Sequence, residues 1–348
     1  MRSDLPQPTL RLTLDRAALA ANWRALDRLS VSAEAGAAVK ADGYGLGNDG
    51  VVPALRDAGA KTFFVAHWAE APAVLRHVDA AQVSVLHGPM SVDDVRFARE
   101  TGVRPVINSL HQAALWLEAG GGPCDLMVDT GMNRLGLAMH EIGDALVGKL
   151  HVETLISHLA SADEDVAQNE VQHRQFSEAI QAIPAKRRSL ANSAGIGLGG
   201  RYAFDLTRPG LALYGGVPRP ELKGEIRQVA YPQAAVLQIR NISPGDTVGY
   251  GATFTADGPM RTATVSLGYA DGFLRCWAGR GALNHNGVLL PLLGRVSMDL
   301  VVVDCTAAPD LREGDWLGIP FDLPTAAEQS GLSQYELLTL LGKRFVRS

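Results

Sequence analysis

Lysine is scarce in this 348-residue chain: six residues (Lys40, Lys61, Lys149, Lys186, Lys223 and Lys343) among 32 basic side chains. Any lysine-dependent chemistry therefore has few candidates. Cysteine is scarcer, at three (Cys124, Cys276 and Cys305), and none stands in a Cys-x-x-Cys pair. That argues against a disulfide framework and for a reducing compartment. No apolar run approaches the ~20 residues of a membrane span, and Met1 to Asp15 holds no apolar stretch of signal-peptide type. The expectation is a cytoplasmic protein with no membrane partner. An excess of positive charge is missing too. The 32 basic and 37 acidic side chains leave a net charge of −5, which gives no electrostatic reason to bind nucleic acid.

What is present is ordinary globular composition, 47% hydrophobic and 20% charged, enough for a sizeable core. At about 150 residues per domain the length suggests two domains. Two textures support that. From about Leu10 to Gly216, short apolar runs alternate with helical patterns. Candidate strands are Ala35–Lys40, Phe63–Ala66, Val83–His87, Val103–Asn108, Asp125–Asp129, Thr154–Leu159, Ser189–Ser193 and Ala203–Thr207. Between them lie helical patterns such as Arg16–Leu29, Val51–Ala58, Val92–Thr101, Leu110–Ala119 and Glu164–Ile183. Eight strands alternating with helices fit an α/β fold of the (β/α)8 TIM-barrel type, with an open doubly wound sheet as the competitor. After about Leu222 the runs Val236–Ile242, Met260–Leu267, Gly287–Leu293 and Leu300–Cys305 are β-like and punctuated by turn dipeptides, until a helical pattern over Thr325–Leu341. The domain expectation is a barrel over 10–222 and a mostly β domain over 223–348, with residues 1–9 packing on the latter.

The stretch Ala35-Gly36-Ala37-Ala38-Val39-Lys40-Ala41-Asp42-Gly43-Tyr44-Gly45-Leu46-Gly47 is the most informative. An apolar strand delivers one lysine at its C-terminal end, where barrels build their chemistry. Lys61 and Lys149 precede candidate strands and fall at the opposite end. A lysine at an apolar barrel mouth loses hydration, which lowers its pKa, and a neutral amine can condense with an aldehyde. The plain alternative is a solvated lysine beside a tight turn. No Gly-Lys-Ser/Thr follows, so the glycines are not a Walker A loop.

That segment resembles the cofactor-lysine motif of the alanine racemases, which use pyridoxal 5'-phosphate (PLP). Six further stretches resemble family motifs: Asp129-Thr130-Gly131-Met132-Asn133-Arg134-Leu135-Gly136, His158 to Asp163, Asn192-Ser193-Ala194, Arg208 to Gly215, Gly268 to Gly272 and Gly294 to Asp299. They run in family order across nearly the whole chain. The family's fold is a PLP-binding (β/α)8 barrel followed by a β domain, in agreement with the two textures.

The resemblance implies a role for each matching residue. Lys40 would carry the cofactor aldimine and act as one of two bases. Tyr269, from the second subunit, would serve the other face of a planar carbanion; a phenol needs nearby positive charge for that at neutral pH. Arg208 would face the pyridine nitrogen. Because a guanidinium only donates, it would leave that nitrogen unprotonated and favour proton return over transamination. His158 would hydrogen-bond Arg208. Tyr44, Ser193, Gly210 and Leu211 would cradle the phosphate. Arg134 and the backbone N–H of Met298 would hold the substrate carboxylate and the cofactor phenolate oxygen. Asp271 and Asp299 are supporting or interface residues without a catalytic role. Read alone, Tyr269 is a turn tyrosine, His158 a core histidine and Gly210 a turn glycine.

The chain departs from the family pattern in three places. Met127 stands where many members have a carbamylated lysine that positions the arginine, so Arg134 must be oriented otherwise, with Asn133 close enough to consider. Ser297 replaces a frequent cysteine. The final stretch, Leu341 to Ser348, lacks a tyrosine that narrows the pocket in some relatives. Alanine remains the first substrate, with serine as an alternative because pockets reject one added hydroxyl poorly. A PLP-dependent D-amino-acid aldolase or dehydratase would need metal ligands, and no ligand spacing appears around His285, Cys276 and Cys305. A non-enzymatic PLP carrier would not need the second domain. The implied assembly is a two-fold homodimer with shared active sites. The implied reaction serves either D-alanine supply for the cell wall or alanine breakdown.

Overall fold

The computed structural model describes residues 7–347. The chain divides into two compact units. One takes Arg16–Arg227; the other joins the stretch ending at Asp15 to the stretch beginning at Gln228.

In the first unit the expected eight strands form: Glu34–Ala35 continued by Ala37–Ala38, then Phe63–Val65, Val83–Val85, Arg104–Ile107, Pro123–Asp129, His151–Ile156, Arg187–Ser189 and Leu206–Thr207. Each pairs in parallel with its sequence neighbour from Ala37–Ala38 through Arg187–Ser189, and Leu206–Thr207 pairs with Glu34–Ala35. Two bonds close the ring: Asp205 N–H to Arg188 O at 3.0 Å and Arg208 N–H to Ala191 O at 2.8 Å. This is a closed (β/α)8 barrel, and an open doubly wound sheet is excluded.

The helices follow from apolar spacing and caps. Arg16–Leu29 buries Leu19, Trp23 and Leu26, three turns of one face. Val92–Thr101 begins with a capping box, Ser91 with Asp94, and stops at Gly102, whose φ is 83°. Inside the barrel Phe64, Val106, Met127, Ile156 and Leu206 pack as one cluster, with Leu86 against it. The barrel is therefore filled, and chemistry is confined to its C-terminal mouth.

The second unit is an antiparallel barrel. The 13-residue strand Ala230–Ile242 pairs with Met260–Val265, and the ring continues through Val301–Asp304, Val288–Leu293, Ala282–His285 and Trp316–Gly318 back to Ala230–Ile242. The register shifts between Val236 and Gln238, a bulge that lets one strand serve both ends of the ring.

Two expectations need correction. Leu10–Leu14, placed at the front of the 10–222 barrel, pairs instead with Ala230–Ala234 and joins the second unit. Its alternating Leu10, Leu12 and Leu14 are buried there. Of residues 1–9, expected on the same unit, 1–6 lie outside the described residues, as does Ser348. The single helical pattern over 325–341 is two helices, Leu323–Ser330 and Gln334–Thr339. Gly331 ends the first at φ 76° and Ser333 caps the second.

Candidate functional site

Lys40 leaves the first barrel strand half-buried at the mouth. The next three residues are left-handed: Ala41 (φ 53°, ψ 44°), Asp42 (54°, 54°) and Gly43 (62°, 44°), with Tyr44 following at φ 55°. Left-handed backbone costs a residue with a Cβ about 1–2 kcal/mol, so neighbours must hold this turn. Glu70 does much of it. Its Oε1 accepts the Ala41 N–H at 2.7 Å and its Oε2 accepts the Ala66 N–H at 2.7 Å, joining the ends of the first two strands. Asp42 Oδ1 accepts the Asn48 N–H at 2.8 Å. The Lys40 amine is held below its usual pKa, chiefly by burial and then by the charge of Arg134. Glu70 opposes the shift, and Arg208 adds to it.

The expected phosphate cradle lies where the last strands end. Ser193 Oγ accepts N–H bonds from Gly210 at 2.9 Å and Ala212 at 3.1 Å. The Leu211 N–H between them opens the short turn Leu211–Tyr214. Tyr44 is buried and stacks on Tyr214 at 4.6 Å between ring centroids, while Tyr214 Oη donates to Ala38 O at 2.8 Å. A Cβ at Gly210 would sit 2.2 Å from Tyr44 Oη. Glycine is needed there by close approach.

Arg208 is buried below this cradle. Its Nη1 donates to Ser189 Oγ and its Nη2 to Ser157 O, each at 2.5 Å, and Nη2 lies 3.5 Å from His158 Nδ1. Burial lowers its pKa to about 10, against the pull of Asp125, so it stays a cation at neutral pH. Burial first, then Arg208, Arg134 and Lys40, push His158 down to about 3. The imidazole is therefore neutral, and its Nδ1 can accept from Arg208.

Arg134 stands in a loop organised by Asp129. One carboxylate accepts four backbone N–H groups, from Gly131, Met132 and Asn133 at 2.8–3.1 Å and from Arg134 at 3.0 Å. Burial pushes this carboxyl up, but the four donors outweigh it and hold it below the usual range. The Arg134 side chain is exposed and makes no hydrogen bond or ion pair with other described residues. Met127 lies in the apolar cluster and offers it no charge. Nor does the Asn133 side chain bond it.

In the second unit Tyr269 opens the short turn after Met260–Val265, and Arg275 lies over its ring, 5.4 Å from the centroid. The Tyr269 and Ala270 N–H groups donate to Ser297 O and Met298 O, each at 3.0 Å, so Tyr269 and Met298 are neighbours. Met298 is 53% exposed.

The barrel mouth thus gathers Lys40, Tyr44, His158, Ser193, Arg208, Gly210 and Leu211, with Arg134 near enough to act on Lys40 through its charge. Tyr269 and Met298 share a face of the other unit. Sequence reasoning missed Glu70 and the role of Asp129. Asp129 could have been found as the acid of Asp-Thr-Gly, a turn signal; Glu70 had no local signal. The donor set fits PLP. A buried cation that only donates suits an unprotonated pyridine nitrogen. The Ser193 hydroxyl, the Tyr44 phenol and the Leu211 N–H, beside a cradle that a Cβ at Gly210 would fill, suit a phosphate. A lysine of lowered pKa suits an aldehyde.

Comparison with known proteins agrees. The family model described as "Alanine racemase, N-terminal domain" matches residues 14–218, and "Alanine racemase, C-terminal domain" matches residues 229–348. An alanine racemase of Methylobacterium nodulans is 44% identical over 97% of this chain and 95% of its own length. A catabolic alanine racemase of Agrobacterium fabrum is 40% identical over 97% and 91%. The solved structure of alanine racemase from Bartonella henselae, with covalently bound pyridoxal phosphate, is 34% identical with a TM-score of 0.91 and covers 99% of each chain.

Proposed function

The chain belongs to the alanine racemase family, and from that premise we propose how its own residues perform the interconversion of L- and D-alanine. The enzyme is a PLP-dependent isomerase. Bound PLP supplies an aldehyde carbon for amino groups and a conjugated ring that eases loss of the Cα proton.

Lys40, its amine pKa lowered chiefly by burial, presents that amine to the aldehyde and, once substrate is seated, moves a proton at one face of Cα. Tyr269 moves the proton at the other face, with the Arg275 guanidinium lying over its ring. Ser193, Tyr44 and the Leu211 N–H hold the phosphate, with the Gly210 N–H fixing the Ser193 hydroxyl. Arg208, kept charged and flanked by neutral His158, leaves the ring nitrogen without a proton. Arg134 and the Met298 N–H orient the substrate carboxylate and the phenolate oxygen. The observation that carries this reading is the pairing of a lysine of depressed pKa with a buried, donor-only arginine at one barrel mouth.

We further infer a two-fold homodimer in which each barrel mouth receives Tyr269 of the partner subunit, in the cytoplasm, consistent with three free thiols. Among the described residues no helix is long and apolar enough to cross a membrane. Purified protein with L-alanine should yield D-alanine in a chiral assay, and activity should fall on dilution as the dimer dissociates. A fully active monomer overturns the shared site. L-serine in the same assay measures how strictly the pocket selects alanine.

A further inference from the structure

Three stretches far apart in sequence meet within the second unit: the Tyr269 turn (268–273), the Met298 loop (297–300) and the segment following the last helix (340–344). They meet with no slack. A Cβ on Gly268 would lie 2.2 Å from Met298 O, and one on Gly272 would lie 2.2 Å from Leu340 O. A Cβ on Gly342 would lie 2.9 Å from Ala270 O. The Gly342 N–H donates to Asp271 O at 3.2 Å.

Arg344 is the cation that joins all three. Its Nε donates to Asp271 Oδ1 and its Nη1 to Asp299 Oδ1, both at 2.7 Å. Asp271 is only 2% exposed, and its other oxygen accepts the Gly268 N–H at 2.9 Å. An exposed ion pair alone contributes little. Here one carboxylate is buried, two residues past Tyr269, and the other adjoins Met298. The fork geometry of arginine fixes both at once, which a point charge cannot do.

We propose that Arg344 is a positioning residue for the reaction: it sets the aim of the Tyr269 phenol and of the Met298 amide by clamping Asp271 and Asp299. The proposal rests on the reading of Tyr269 as one of the two groups that move the Cα proton. Loss of the clamp lets the turn shift, which slows proton transfer at the tyrosine face and leaves the lysine face as it was.

The test follows two rates on one substrate. Holoenzyme is given D-alanine carrying deuterium at Cα in ordinary water. Tyr269→Phe fixes which enantiomer to label: the one that still loses deuterium in that variant is the one Lys40 serves, written here as D-alanine, and formation of the opposite enantiomer, written here as L-alanine, requires Tyr269 as well. Arg344→Ala should lower L-alanine formation by roughly 10- to 100-fold, the scale of misplacing a reacting group by about 1 Å, while deuterium loss stays near the wild-type rate. Arg344→Lys should fall between, and Asp299→Asn should move the ratio the same way by a smaller step. These two variants decide the matter if Arg344→Ala does not accumulate folded. Folded variants in which both rates are unchanged, or fall together, overturn the proposal. Tyr269→Phe separates the two ideas. If it still forms L-alanine, the reading of Tyr269 fails. If it abolishes inversion but keeps deuterium loss, and the Arg344 variants do not follow it, only the positioning role fails.

Discussion

His158 Nδ1 lies 3.5 Å from Arg208 Nη2, and the neutral ring accepts there without adding a proton to the site. The relationship has a thermodynamic consequence. The folded-state pKa of His158, about 3, is below its ordinary value of 6.5. Between those values the unfolded chain binds a proton that the native chain does not. Stability from this residue is complete above about pH 6.5 and is lost as pH falls toward 3, at up to about 1.4 kcal/mol per pH unit. The slope of unfolding free energy against pH between 4 and 6 should flatten in His158→Gln; an unaltered slope contradicts the assignment.

Lys40 is tuned by neighbours of both signs, and each can be removed. In the protein freed of PLP, Arg134→Ala should raise the pKa of the Lys40 amine, because a repelling cation is gone. Glu70→Gln should lower it, because an attracting anion is gone. The pH dependence of amine acetylation at Lys40, read by peptide mass, measures both shifts, and equal movement in the two variants would refute the pattern.

The cradle predicts weaker PLP retention in Ser193→Ala. One hydrogen bond to a charged group is worth about 1.5–3 kcal/mol, so the dissociation constant should rise roughly 10- to 100-fold. Gly210→Ala should do at least as much, since its Cβ would displace Tyr44. Equilibrium dialysis of PLP checks both.

Among the described residues no carboxylate pairs with Arg134, and the partner proposed for it is the substrate carboxylate. Arg134→Lys should therefore raise KM for alanine by about tenfold with a smaller change in kcat, as a bidentate fork is exchanged for a point charge. Met127→Ala should leave KM nearly unaltered but cost about 2–5 kcal/mol of stability by opening a cavity in the barrel cluster. Steady-state kinetics and urea unfolding separate the two.

Much of this molecule was legible in one dimension, for reasons that are local. Arg16–Leu29 and Val92–Thr101 carry their own period and stop signals, and each barrel strand overlaps its expected run. Lys40 and Arg208 stood out because a charged residue closed an apolar strand. What stayed hidden depends on partners distant in sequence. Leu10–Leu14 falls within the expected 10–222 bounds until its ladder with Ala230–Ala234 is seen. Glu70 is one acid among many until its oxygens meet the N–H groups of Ala41 and Ala66. The Arg344 clamp spans 73 residues to Asp271, a separation no periodicity reports.

Every role assigned here presumes that the Lys40 nitrogen takes up the cofactor's aldehyde. Reduction of the holoenzyme with borohydride, digestion and peptide mapping tests this directly. The account predicts one pyridoxyl group, on the peptide that contains Lys40. A label on Lys61, Lys149 or another lysine, or no label at all, would contradict it.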